Sequence, residues 1–128
     1  MEEKRITSQE FDESLSVITQ FIGKTLSSKA KEYSSNDDRY HNFRFSQLLI
    51  DWSTGHDTTI QHSIWALATK HIVSCLDMLK ALITGKKQPR WYIDEKFGDF
   101  VNYIILLWVY MQTNGVDEKG ENVWMGLS

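Results

Sequence analysis

One proline, Pro89, in 128 residues is the feature that most narrows what this chain can become. Long stretches without proline, with most glycines falling where apolar-periodic runs end, favour long helices over a turn-rich β architecture. The expected fold is all-α: a single-domain bundle of about four helices with a long third helix and an irregular C-terminal tail. Residues 7–113 form the expected core and 114–128 the tail, and a chain of this length is one domain by size.

The first helix is expected to start at Thr7, with Glu10 three residues on completing a capping-box pattern. Phe11, Leu15, Ile18, Ile22 and Leu26 recur at steps of three or four and predict one apolar face, with the helix running on to Tyr33. Ser34, Ser35, Asn36 and Asp37 make a polar break whose side chains suit a cap. Tyr40, Phe43, Phe45, Leu48, Leu49 and Trp52 then predict a shorter second helix ending near Gly55. The third helix runs from Asp57 or Thr58 to about Gly85. One stripe holds Ile60, Ile64, Leu67, His71, Cys75, Met78 and Leu82, and a second holds Ile72, Leu76, Leu79 and Ile83. Two apolar stripes on one helix require neighbours on more than one side. After the basic stretch Lys86 to Arg90, a fourth helix is expected from Tyr92 to Thr113, with Asn114-Gly115 as its stop. In the tail, Trp124 and Met125 are the side chains expected to pack.

Tyr103 to Met111 is apolar all round yet far too short to cross a bilayer. Such a segment must be central, either in the core of one copy or at a subunit interface, so a homo-oligomer formed through the fourth helix is expected. MEEKRITSQEF lacks the pattern of a secretory signal, and the single Cys75 excludes an intrachain disulfide, which suits a cytoplasmic setting. Fourteen Lys and Arg against seventeen Asp and Glu give a net charge of −3, which excludes a general nucleic-acid binder.

Function must come from polar residues set inside apolar patterns. Glu95, Asp99 and Asn102 stand at i, i+4 and i+7 and form one polar line on the fourth helix. Two carboxylates one turn apart repel unless solvated or bridged, and Mg²⁺ is a bridge that oxygen ligands hold. The alternative is that these acids lie in the first turns and complement the helix dipole. Lys70, Ser74 and Asp77 share a face of the third helix, with His71 at its edge. If that face meets the Glu95 line, Asp77 adds a carboxylate and Lys70 a cation. His71 reads as a hydrogen-bonded histidine on a packed stripe, and Cys75 as a small buried residue.

The segment Lys29 to Phe43 is dense in binding groups. Glu32, Asp37 and Asp38 offer oxygens, Lys29, Lys31 and Arg39 offer charge for phosphate, and Tyr33, Tyr40, His41 and Phe43 offer aromatic faces. The alternative is a solvated loop whose Asn36 and Asp37 cap the next helix, which leaves Asn42 and the clustered aromatics unexplained. No P-loop, dinucleotide fingerprint, nucleophile elbow, H-E-x-x-H or paired C-x-x-C is present.

The order Lys29, Glu32-Tyr33, Arg39, Asn42-Phe43, Lys70-His71, Ser74, Asp77, Glu95, Gly98-Asp99 and Asn102-Tyr103 resembles small phage-borne proteins related to the nucleotide modification associated domain. That domain is itself similar to the all-α MazG and dimeric dUTPase group of nucleotide pyrophosphatases. The resemblance covers about residues 25 to 110 through short motifs. It implies an oligomeric bundle in which acidic side chains hold Mg²⁺, or Mn²⁺ in its place, against the phosphates of a nucleoside triphosphate. A metal-activated water then cleaves between the α and β phosphates and releases pyrophosphate, a hydrolase reaction. By position, Glu32, Glu95 and Asp99 become metal ligands, with Asp77 a further one. Lys29, Arg39, Asn42, Lys70, Asn102 and Tyr103 become nucleotide contacts. The chain departs from the family pattern, since MazG-type helices carry E-x-x-E and E-x-x-D whereas Glu95 and Asp99 are four apart. The expectation is therefore a MazG-like nucleotide-binding protein, an active pyrophosphatase or a degenerate relative, in the bacterial host cytoplasm if phage-encoded. The competing expectation is a non-enzymatic phage accessory or inhibitor protein that binds a host or phage macromolecule, anchored by exposed aromatic side chains.

Overall fold

A computed structural model of the chain describes residues 3–33 and 38–117, with the side chains of residues 29–33 outside that description. Four helices follow one another: α1 (Ser8–Tyr33), α2 (His41–Thr54), α3 (Ile60–Ile83) and α4 (Arg90–Asn114). The architecture is all-α, as expected. The tail from residue 118, including Trp124 and Met125, and the break at Ser34 to Asp37 lie outside the described residues.

Each visible helix end has a local cause. The Glu10 amide donates to Thr7 Oγ1 at 3.1 Å, and that hydroxyl donates to the Glu10 carboxylate at the same distance, so Thr7 and Glu10 satisfy each other at the start of α1. Gly55, at φ 72°, takes the left-handed conformation that stops α2. The α3 cap is Thr59, one residue beyond the expected start, and its side chain accepts from the His62 amide at 3.2 Å. The shift comes from Asp51, whose Oδ1 accepts from both the amide (2.9 Å) and the hydroxyl (2.6 Å) of Thr58 and holds that residue outside the helix. Gly85, at φ 83°, closes α3: its amide donates to Leu82 O at 2.9 Å and the Lys86 amide to Ala81 O at 3.0 Å, a Schellman arrangement. Pro89 then caps α4, at a helix start where its missing N–H costs nothing.

The short link across residues 84–89 lays α4 back along α3, and these two helices share the largest interface. The core lies at one end of the bundle, where Phe43 of α2 meets Ile60 and Ile64 of α3 and Leu106 of α4. Tyr40, Tyr103, Leu107 and Tyr110 pack around them. Tyr40 joins α2 to the middle of α4 by donating its hydroxyl to Leu106 O at 2.7 Å, and burial pushes its phenol up, so it stays a donor. Along α4 the buried residues are Gly98, Asn102 and Leu106, a line at steps of four. Gly98 makes room there for the Phe21 ring of α1, which a Cβ would meet at 2.7 Å and push aside.

The apolar stretch Tyr103 to Met111 is largely used inside one copy of the chain. Leu106 is buried and Tyr103, Leu107 and Tyr110 line the core, leaving Trp108, Val109 and Met111 exposed. By contrast, the leading half of the expected α1 face is in water: Phe11, Leu15 and Ile18 are all about half exposed. No helix among the described residues is long and apolar enough to cross a membrane.

Candidate functional site around Asn102

Asn102 is the polar centre of the molecule. Its side chain is only 4% exposed, and neither its carbonyl oxygen nor its amide nitrogen has a hydrogen-bond partner. A buried carboxamide left unsatisfied costs roughly 1–3 kcal/mol for each group, a penalty that proteins rarely retain without a use for it. The carboxamide presents donors and an acceptor side by side, the pattern that pairs with the edge of a nucleobase or another amide.

One turn before it, Asp99 is largely buried and faces α3. Its carboxylate lies 3.8 Å from His71 Nδ1, with both side chains about 15% exposed. The His71 ring lies against Tyr103, with ring centroids 4.9 Å apart, and Tyr103 in turn meets Phe43 edge-on at 6.0 Å. One turn further along α3, Cys75 is buried and its thiol donates to Lys96 O at 3.5 Å. Burial, then the Asp99 charge, push that thiol up, so it is an inert packing residue and not a nucleophile. The α3–α4 contact therefore sets His71 and Cys75 against Asp99, Asn102 and Tyr103.

Other expected site residues stand elsewhere. Asp77 is exposed on α3, six residues and about 240° of helix rotation from His71, so it does not join Asp99. Glu95 is exposed as well: it lies within about 20° of the Asn102 face but two turns earlier, in the largely exposed opening stretch of α4. Lys70 and Asn42 are exposed. Arg39 is exposed and donates to Leu26 O at 2.9 Å, tying the loop to α1. Lys29 and Glu32 lie on α1, but their side chains fall outside the described set. Among the described residues, no group of three His, Cys, Asp or Glu side chains is placed to hold a metal ion.

Asp38 has a structural task. One carboxylate oxygen accepts from the Tyr40 amide at 3.0 Å and the other from Arg44, and the Arg44 hydrogen bond holds the carboxyl below its ordinary range. This pair opens α2, whose N-cap, Tyr40, makes no side-chain capping bond to the helix.

Between α1 and α4 lies a cavity of about 200 Å³ lined by Val17, Ile18, Phe21, Ile93, Phe97 and Gly98, with Arg90 and Asp94 also on its wall. Val101, next to Asn102 in the chain, also lines it.

The residue that sequence reasoning undervalued is His71, which it set on a packed stripe without naming Asp99 as its partner. Part of the signal was available, because a short link after Gly85 makes the third and fourth helices antiparallel neighbours and brings residue 71 to within about a turn of Asp99. Compared with known proteins, the chain matches no family model, no curated protein and no solved structure.

Proposed function

We propose that the chain is a nucleotide-binding protein, in line with its resemblance to the MazG-like group, and that Asn102 reads the base. The observation that carries this reading is the buried Asn102 carboxamide, both ends of which lack a partner. A nucleobase edge supplies the complementary donor and acceptor, and its binding repays the desolvation the apo protein already bears. Asp99, one turn away and held toward α3 by His71, is the carboxylate closest to Asn102 along α4. Mg²⁺ commonly keeps several waters and takes only one or two protein carboxylates beside substrate phosphates. Asp99 suits that mode as a single protein carboxylate and needs no preformed cage, whereas Glu32, eleven residues beyond the Phe21–Gly98 contact on α1, stands about 16 Å further along the bundle and does not join it. Lys29 is the cation on α1 for phosphate charge. The proposal covers binding; the four-residue spacing of Glu95 and Asp99 fits a degenerate relative better than an active hydrolase.

A thermal-shift panel of dUTP, dCTP, dATP, dGTP and ATP at millimolar concentration, with and without Mg²⁺, tests it. A ligand at 100 times its Kd stabilises the native state by about 2.7 kcal/mol, several degrees in a domain of this size. The expected outcome is a base-selective shift that Asn102→Leu abolishes and Asp99→Asn makes independent of Mg²⁺. No shift with any nucleotide sinks the reading. It would favour the macromolecule-binding alternative, for which the exposed Phe45, Leu48, Leu49 and Trp52 of α2 provide the anchor face.

A further inference from the structure

Where the link turns α3 into α4 lies a second cavity, of about 320 Å³, which the nucleotide reading leaves unused. Met78, Leu79 and Leu82 of α3 form one wall, and Ile93 and Phe97 of α4 form the other. Met78 is buried and lies deepest, while the other four side chains are 38–51% exposed. The chain itself leaves this apolar surface in water, so a guest that covers it gains the usual hydrophobic contribution. Lys86, Lys87 and Gln88 of the link close one end.

Charge defines the guest. At the cavity between α1 and α4, Arg90 stands 3.7 Å from Asp94 and the two charges offset each other. At the α3–α4 cavity no described carboxylate lines the wall, and neither lysine makes an ion pair among the described residues. Two uncompensated cations thus stand at one end of an apolar space, on a chain whose net charge is −3. The backbone that carries them is pinned, since Gly85 takes the left-handed conformation and the Lys86 amide donates to Ala81 O at 3.0 Å. Lysine presents a point charge without the planar fork that selects one anion geometry, so the pair recognises negative charge more than a particular head. Gln88, half-buried beside them, adds amide donors.

We propose that this cavity binds a free amphipathic anion, with its carboxylate or phosphate head at Lys86 and Lys87 and its unbranched apolar body between α3 and α4. A cavity of about 150 Å³ takes benzene, so one of about 320 Å³ takes roughly twelve heavy atoms, the size of decanoate. An anionic bilayer is the rival source of the same chemistry. It presents its head groups to a protein and keeps its chains below them, so it leaves the space over Met78 unfilled. This inference uses no residue of the Asn102 site and holds whether or not a nucleotide binds.

Amide NMR titration of the full chain with decanoate, at millimolar concentrations below micelle formation, tests the site. Decanoate is expected to shift the amides around Met78, Leu82, Lys86 and Ile93 with a Kd on the order of 1 mM or tighter, and decyl phosphate should do the same. Decylammonium, with the same chain and the opposite charge, should bind at least about tenfold more weakly. Lys86→Glu with Lys87→Glu alters only exposed side chains and should keep the helical circular dichroism. It should weaken decanoate at least about tenfold while leaving the response to nucleotides unchanged. No shift with decanoate, shifts centred on the exposed face of α2, or equal affinity in the double variant or for decylammonium overturns the proposal. Phosphatidylglycerol vesicles supply the membrane arm. Cosedimentation with them, without binding of monomeric decanoate, would assign the lysines to a bilayer and overturn the free-ligand site.

Discussion

The two sides of α3 are equally apolar and meet opposite fates. Toward α2 and α4, Ile64 and Ala68 are fully buried and Met78 is 8% exposed; on the other side, Leu76, Leu79 and Ile83 stand in water. Periodicity places apolar residues on a face, but only a neighbouring element decides whether that face is core. In this chain the neighbours suffice for one face and not the other. Twenty-four large apolar side chains are exposed among the described residues, against five buried ones, well beyond the single patch a monomer usually carries.

Equivalent truncations on the two sides make the contrast measurable. Ile64→Ala removes atoms from a site with no solvent access and should cost about 2–5 kcal/mol in urea unfolding. Leu79→Ala should stay within about 0.5 kcal/mol of wild type. Comparable losses at both sites would mean that another part of the same chain covers the outer stripe.

A smaller effect of opposite sign is expected at the polar centre. Asn102→Leu removes two buried, unpartnered groups and should raise stability by about 1–3 kcal/mol while removing nucleotide binding. Loss of stability instead would show that the carboxamide is satisfied in solution and would undercut its role as a base reader.

The smallest effect is electrostatic. Asp38 has a depressed folded-state pKa because of its Arg44 partner, so its stabilisation is present above the ordinary carboxyl value and is lost as pH falls through the folded-state pKa. Asp38→Asn keeps the acceptor for the Tyr40 amide and removes the charge. At neutral pH it should cost a few tenths of a kcal/mol, because Arg44 is half exposed and the pair is screened. The gap to wild type should close once both are acidified below that pKa, a trend that chemical unfolding across pH would follow.

Helix number, order and ends were legible because short-range chemistry writes them: Thr7 with Glu10, Gly55, Gly85, and Pro89 ahead of the fourth helix. The prominence of Asp99 and Asn102 was legible too, since polar residues break an apolar pattern. Their neighbours were less so. Asp77 shares its helix with His71 but is turned away from it, and Glu95 shares the Asn102 face but stands two turns earlier, where α4 is largely exposed. Tyr40 was read as a stacking group, and its bond to Leu106 O spans 66 residues, a pairing no local pattern announces.

The hairpin turned at Gly85 also sets the order in which this molecule comes apart. α3 and α4 are adjacent in the chain, so their contact closes a small loop at little entropic expense, while α1 must return from far upstream to lay Phe21 over Gly98. Amide exchange should therefore be fastest along α1 and slowest where α3 meets α4, with release of the first helix as the breathing motion that opens the Gly98 cavity to solvent.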